Sequence, residues 1–323
     1  MLYHMEYDIQ IGSYKVNTLQ SVTIKKSVEQ LSDTAIITMP GTLLNASMEV
    51  EDKISVGDPV TIKLGYKQTG LKTEFEGYLK AIKTEDNSIA LECEDALYMW
   101  RTAVKDGEKK GLSLKALLNN VCLQVNQARG TQFKVECDYA YTYSKFVFSH
   151  ATALDVLKNV QDETKANVYF DGETLHLHPQ YSEMSGNTII YDYAINICSS
   201  DLKYVKKADK NVKVIIETTN AKGNKVKKEA GTDGGIVIKR GVTSNESSDL
   251  QRVAENEYSL WCYDGYEGGL TGWLVPFCIP TDKVEIRDSA YPEKTGTYYV
   301  IATDIEFSES GGRRTVKLGK RLG

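Results

Sequence analysis

Gly57-Asp58-Pro59-Val60-Thr61-Ile62-Lys63, followed after a polar turn by Phe75-Glu76-Gly77-Tyr78-Leu79-Lys80-Ala81-Ile82, is the stretch that decides how this chain folds. It recurs near the other end as Thr281-Asp282-Lys283-Val284-Glu285-Ile286-Arg287 and Gly296-Thr297-Tyr298-Tyr299-Val300-Ile301-Ala302-Thr303, about 224 positions later by subtraction of Gly57 from Thr281. In each copy an Asp opens an alternating Val-x-Ile strand, a turn rich in Gly, Lys and Thr follows, and an aromatic-rich strand comes next. A third strand closes each unit: Ser88-Ile89-Ala90-Leu91-Glu92-Cys93 in the first and Arg314-Thr315-Val316-Lys317-Leu318-Gly319 in the second. Alternation at period two marks half-buried β-strands. Two similar β-units in one chain can stand around an axis as two subunits would, so three chains would present six units.

Outward from the first copy, Ser21 to Lys25 and Asp33 to Pro40 also read as strands, the latter stopped by Pro40-Gly41. Gly41 to Ile54 reads as a loop holding a short helix. After the polar linker Lys105 to Gly111 the period changes. Leu114, Leu117, Leu118, Val121, Cys122 and Val125 line one face of a helix, with Ser113 placed to cap it. A strand at Gln132 to Cys137 follows. Thr152 and Asp155 form a capping-box pair at the start of a second helix that turns Leu154, Leu157 and Val160 inward. Asn167 to Phe170, Asp171-Gly172 and Thr174 to His178 spell a hairpin. The chain returns to β near residue 202, with strands at Asn211 to Thr218 and Lys225 to Glu229 around a turn at Asn220 to Asn224. A third helix, from Ser247 or Ser248, carries Leu250, Val253, Ala254, Tyr258 and Trp261 on one face.

The expected fold class is therefore α+β, mainly β. Two related β-barrel-like units (residues 1–105, and 201–323 with one helix) flank an inserted α+β module at residues 106–200.

At 323 residues the chain can hold two or three domains, and its 41% hydrophobic and 26% charged content is ordinary for a globular protein. No apolar run approaches the ~18 residues of a membrane span, and Met1 to Asp8 lacks the pattern of a secretory signal, so no membrane anchor and a cytoplasmic origin are expected. The six cysteines are scattered without a C-x-x-C pair, which reads as free, mostly buried thiols. Residues 1–100 carry 15 acids against 9 bases, whereas Arg313 to Gly323 carries Arg313, Arg314, Lys317, Lys320 and Arg321 and no acid.

Chemistry-bearing constellations are weak. His176 and His178 share a strand face and could hold a metal with His150 or an acid, but the pattern puts them on the wet side of the hairpin, opposite Leu175 and Leu177. Glu92, Glu94 and Asp95 form an acid cluster that could supply the two carboxylates of glycoside hydrolysis, yet the cluster ends a strand, where a solvated face or a cap is expected. No nucleophile elbow, P-loop or dinucleotide fingerprint is present. The aromatic residues that single-strand binding uses are nearly absent from the Lys-rich hairpin at residues 203–228. No enzyme activity, cofactor, metal or specific nucleic-acid binding is expected.

Four patterns together carry a family resemblance: Ser27 to Pro40; Gly57-Asp58-Pro59-Val60 with Phe75-Glu76-Gly77-Tyr78 and Glu92-Cys93-Glu94-Asp95-Ala96; the helix Leu112 to Val125 with Ala153-Leu154-Asp155-Val156-Leu157; and the helix Leu250 to Trp261 with Gly272-Trp273 and the closing unit. Across nearly its whole length the chain resembles the baseplate hub proteins of contractile phage tails, the phage late control D family, related to the hub part of type VI secretion spike proteins. The resemblance implies a homotrimer whose six β-units form a pseudo-sixfold ring. That ring would join a hexameric tail tube, or its initiator, to a trimeric central spike, with the inserted module facing other baseplate proteins. It implies a place in a virion baseplate or injection particle assembled in the bacterial cytoplasm. A carbohydrate-binding or adhesin-like β-protein of a tail tip is the alternative, as is a hub that also degrades cell wall. Sugar binding needs exposed aromatic platforms, and the helix face turns Trp261 inward. In the ring, the basic set Arg313, Arg314, Lys317, Lys320 and Arg321 is expected to meet the acidic first unit across a unit boundary, within or between chains.

Overall fold

A computed structural model describes residues 4–41, 53–85, 87–182, 184–219, 224–244, 246–292 and 295–322. Most of the loop expected at Gly41 to Ile54, and most of the turn at Asn220 to Asn224, lie outside these. The fold is mainly β, with three α-helices among the described residues. The chain divides into two compact units. One comprises Met1–Tyr98, Ser185–Lys203 and Glu267–Gly323, and the other Met99–Met184 and Tyr204–Tyr266. Residues 204–266, expected with the closing β-unit, therefore pack with the middle of the chain. Helix Ser247–Trp261 buries Leu250, Val253 and Ala254 and lies on the sheet formed by Val212–Thr219 with its neighbours Lys225–Gly231 and Ile236–Gly241. The segment is tied to the middle of the chain by hydrogen bonds: Asp249 accepts the Thr142 N–H at 2.7 Å, Asn256 Nδ2 donates to the Tyr139 hydroxyl at 3.1 Å, and the Thr243 hydroxyl donates to Glu163 at 2.6 Å.

In the first unit both copies of the repeat join one sheet. Pro59–Tyr66 pairs antiparallel with the first half of Gly70–Glu85, whose second half pairs with Ser88–Glu94. Lys283–Arg287 pairs the same way with the start of Gly296–Ser308, which then pairs with Gly311–Arg321. In each copy the third strand pairs antiparallel with a strand from earlier in the chain, Thr34–Pro40 in one and Gly269–Trp273 in the other. One irregularity also corresponds: the register slips at Lys80, between Leu79 and Ala81, and at Ile301, between Val300 and Ala302. Ser21–Ser27 joins the copies by pairing with Thr34–Pro40 on one side and with Gly296–Ser308 on the other. The sheet path runs from Ile197–Ser200 to Tyr14–Lys15, with no pairing between these ends among the described residues, so it is open and not a closed barrel. Its core gathers Ile9, Ile24, Ile37, Ile62 and Leu91 with Ile305 and Phe307 of the second copy.

The second unit shows how local sequence fixes its helices. Ser113 Oγ accepts the Ala116 N–H at 3.3 Å, and Gly130 closes helix Leu114–Arg129 at φ 69°. That helix buries the six residues of its apolar stripe, the aliphatic ones each contributing roughly 1.5–3 kcal/mol. Thr152 and Asp155 form a reciprocal capping box for helix Ala153–Thr164. The linker expected at Lys105 to Gly111 is partly a strand: Gly107–Ser113 pairs antiparallel with Thr142–Phe148. Nearly every residue of Gly107–Ser113 is exposed, so it has no alternating signature. Its Glu108, Lys109 and Lys110 suit a charged edge strand.

Gly77 lies where Gly70–Glu85 passes close to the end of Ser88–Glu94. A Cβ there would come within 2.4 Å of the Glu94 carbonyl oxygen and 2.8 Å of the Phe75 ring. Gly77→Ala should therefore lower the free energy of urea unfolding by about 1–3 kcal/mol.

Candidate functional site

Strand Gly311–Arg321 carries the basic set, and its alternation splits that set in two. Arg313 and Lys317 share one face. Arg314, with Val316 and Leu318, faces the core. Arg314 is 0% exposed. Its Nη2 donates to Glu74 Oε1 at 2.7 Å, and its Nη1 to the Cys278 carbonyl at 2.6 Å. The Phe277 ring centroid lies 5.0 Å from the guanidinium carbon. Arg314 thus works inside this unit, tying the closing strand of the second copy to the middle strand of the first, and is not part of a surface patch.

Glu74 reaches it by means of a β-bulge. Ile62 opposes Phe75 and Lys63 opposes Thr73, which leaves Glu74 as the extra residue. Two consecutive side chains, Glu74 and Phe75, are consequently both buried. Burial pushes the Glu74 carboxyl up, against the pull of the Arg314 guanidinium. Tyr191, whose hydroxyl burial also pushes up, and Cys278, whose thiol is likewise raised by burial, complete this enclosed polar pocket. Asp282 accepts from the Ile279 N–H at 2.9 Å and from the Ser185 hydroxyl. Thr281 beside it holds φ at 76°, a strained value for a β-branched residue.

Arg313, Lys317 and Lys320 face outward, whereas Arg321 folds back onto its own unit. The Arg313 guanidinium stacks 3.6 Å from the centroid of the half-exposed Trp273 ring, close to the exposed Cys198. Lys317 pairs with Asp304 at 2.7 Å. Lys320 is exposed, and Arg321 donates to the Thr295 carbonyl at 2.8 Å. The adjoining terminal strand Ile197–Ser200 pairs on one side with Gly269–Trp273, and Ile190, Tyr193 and Ile195 are exposed next to it in sequence, Ile195 at 79%.

The acid cluster does structural work. Glu94 is buried and takes Lys80 at 3.4 Å, and Glu92 takes Lys83 at 2.5 Å. Asp95 accepts from the Asp33 N–H at 2.8 Å and the Leu97 N–H at 3.0 Å, which stitches two strand ends together and caps the short turn Ala96–Tyr98. Glu94 and Asp95 are caps and core links, not the solvated acids of an exposed strand face. Burial and the neighbouring Asp33 push the Asp95 carboxyl well up.

In the second unit a groove of about 540 Å³ lies between Asn159, Glu163, Thr218 and Thr243. Glu163 there accepts from the Tyr141 hydroxyl at 2.6 Å and from Thr243, so its carboxylate is already engaged. His176 and His178 are mostly buried, not on a wet face. His150 is exposed beside Asp106. Trp261 is 49% exposed at the end of its helix, its Nε1 donating to Glu257 at 3.3 Å, which corrects the inward placement expected from the helix face.

No family model and no curated protein matches this sequence. The fold does have relatives. A tail protein from Neisseria meningitidis MC58 is similar with a TM-score of 0.70 at 11% identity, covering 98% of this chain and 97% of its own. The 43 kDa tail protein of prophage MuSo2 from Shewanella oneidensis follows at 0.66 and 12%, covering 98% and 96%. A type VI secretion system component of E. coli, itself structurally similar to T4 bacteriophage tail proteins, reaches 0.62 at 7%, covering 98% and 77%. At these identities the likeness is one of fold.

Two predictions follow from the buried groups. Removing one partner of the ion pair, by Glu74→Gln or Arg314→Met, should cost about 3–5 kcal/mol, while the double apolar replacement Glu74→Leu/Arg314→Met should cost far less; a denaturation double-mutant cycle measures both. For Asp95 the folded-state pKa is raised, so between the unfolded and folded pKa values the folded state holds the extra proton. Its contribution to stability is full at low pH and is lost as pH rises from about 4. The stability of the native chain relative to Asp95→Asn should accordingly fall as urea titrations move from pH 4 to pH 8.

Proposed function

We propose that this chain is a structural, non-enzymatic component of a phage tail or related injection particle. In this reading it is the hub: a homotrimer in which the two copies of the repeat in each chain make a pseudo-sixfold ring between the hexameric tail tube, or its initiator, and a trimeric central spike. The observation that carries the reading is the strand-by-strand agreement of the two copies within one unit, down to the matching slips at Lys80 and Ile301. The end-to-end fold likeness to tail proteins supports it. The sheet path is open at Ile197–Ser200. An exposed edge is costly unless covered, and pairing with a neighbouring chain covers it.

Arg313, Lys317 and Lys320 are then the members of the basic set able to meet another chain, Arg314 being held by Glu74. Other baseplate proteins would contact the second unit, and the particle would be assembled in the bacterial cytoplasm. Glycan recognition at a tail tip is a second reading, favoured by the half-exposed Trp261.

Sedimentation at low salt should show a trimer, and Arg313→Glu/Lys317→Glu should weaken or slow its assembly while leaving the fold intact by circular dichroism. A monomer at all concentrations overturns the ring, and a monomer that binds glycans through Trp261 favours the second reading. Release of peptidoglycan fragments that Asp95→Asn abolishes would overturn the non-enzymatic assignment.

A further inference from the structure

The three-stranded sheet of the second unit sets Thr174–His178 between Lys134–Cys137, in parallel, and Asn167–Asp171, antiparallel. His176 and His178 are two apart on the central strand and so share a face. Nδ1 of His176 lies 3.3 Å from Nε2 of His178. Two nitrogen ligands each ~2.0–2.1 Å from a tetrahedral zinc ion stand about 3.3–3.4 Å apart, so the two imidazoles are already spaced as a chelate. Register brings a carboxylate to the same place: Glu136 is opposite His176 on the parallel strand, and its Oε2 is 3.7 Å from the same Nδ1.

Surrounding groups fix the two rings as metal-binding imidazoles are usually fixed. Asp138 Oδ1 accepts from His178 Nδ1 at 2.7 Å. A carboxylate only accepts, so the proton sits on Nδ1 and the lone pair on Nε2, the atom that faces His176. Tyr169 lies flat on the His176 ring, 5.0 Å between centroids and 6° between planes. The side chains of His176 and His178 are 12% and 9% exposed, whereas that of Glu136 is 64% exposed. An ion would therefore enter from the Glu136 side.

We infer that this cluster is a binding site for a divalent transition-metal ion of the zinc class, held by His176 Nδ1, His178 Nε2 and Glu136, with water completing the shell. Among the described residues no three donors already surround one point. Capture therefore requires the exposed Glu136 side chain to change rotamer, and requires His176 to carry its ring proton on Nε2 instead of Nδ1. The bound ion clips Lys134–Cys137 to Thr174–His178. Copper(II) should bind more tightly than zinc, as such nitrogen donors prefer. The inference is independent of the assembly reading, since a monomer carries the whole site.

The test uses tag-free full-length protein in a Cys198→Ser background, because the exposed thiol would otherwise compete for metal. Calorimetric titration with zinc chloride should show a single saturable site, and cobalt chloride should give a visible d–d absorption at the same stoichiometry. His176→Gln and His178→Gln should each weaken zinc by at least about 10-fold, and Asp138→Asn by about 10–100-fold. Zinc should raise the melting temperature of the parent and leave that of the double histidine variant unchanged. If the double variant does not fold, imidazole NMR of the parent protein decides: zinc must shift the ring signals of His176 and His178 and leave those of His150 in place. Saturation only above about 1 mM zinc, equal binding by parent and double variant, or shifts confined to His150 would each overturn the inference.

Discussion

Arg314 and Glu74 form a fully enclosed ion pair between the last strand of the second copy and the middle strand of the first. Taking both charges out of water costs several kcal/mol per ion before any attraction is counted. Such a pair persists only where good geometry and further hydrogen bonds offset the desolvation. Here the Cys278 carbonyl takes a second guanidinium N–H and the Phe277 ring lies against the cation. The pair adds less to net stability than to specificity: any register that left either charge buried alone would be strongly disfavoured. It therefore helps to fix how the two copies share one sheet.

Much of the first unit can be understood around that pin. The bulge at Glu74 turns the carboxylate inward and shifts the register of Gly70–Glu85 against Pro59–Tyr66. The Tyr66 hydroxyl reaches the Gly312 carbonyl at 3.3 Å, and Tyr7 packs edge-on against Phe307 with centroids 6.3 Å apart, so further contacts cross between the copies. The segment from Leu274 to Asp282 wraps Arg314 on its other side, and the strained Thr281 is held there by its backbone, whose N–H donates to the Val300 carbonyl at 3.0 Å and whose carbonyl accepts the Ser185 N–H at 3.2 Å. With the inner charge enclosed, Arg313 and Lys317 are left on the outer face, where assembly contacts are possible.

The second unit follows a different logic. Its helices are stabilised by local devices, a serine cap, a capping box and apolar stripes, whereas its polar groups are brought together by pairing between distant segments. The His176–His178–Asp138 chain exists because alternate residues of one strand meet the parallel neighbour Lys134–Cys137 and the residue just beyond it. Parallel pairing across more than thirty-five positions of sequence, from Glu136 to His176, puts the carboxylates there.

The sequence by itself determined what short-range periodicity encodes. The period-two strands, the capped helices at Ser113 and Thr152, the Asp171-Gly172 hairpin and the twofold recurrence of one β-unit were legible because side-chain alternation and capping depend on neighbours a few positions away. Alternation along Gly311–Arg321 also carried the signal that Arg314 faces inward with Val316 and Leu318, although net charge drew it into one set with Arg313 and Lys317. Tertiary structure alone decided the rest. A bulge is invisible to periodicity, so nothing local told Glu74 from the exposed Glu76. The strand Gly107–Ser113 has no buried face and so left no pattern. Trp261 kept the helical spacing of its stripe and yet is half exposed, its Nε1 held by Glu257. Residues 204–266 joined the middle of the chain because Asp249, Asn256 and Thr243 find their hydrogen-bond partners at Thr142, Tyr139 and Glu163. For Glu74, Gly107–Ser113 and residues 204–266 the deciding contact lies far away in sequence, and the free energy of burial depends on that contact and not on the local pattern.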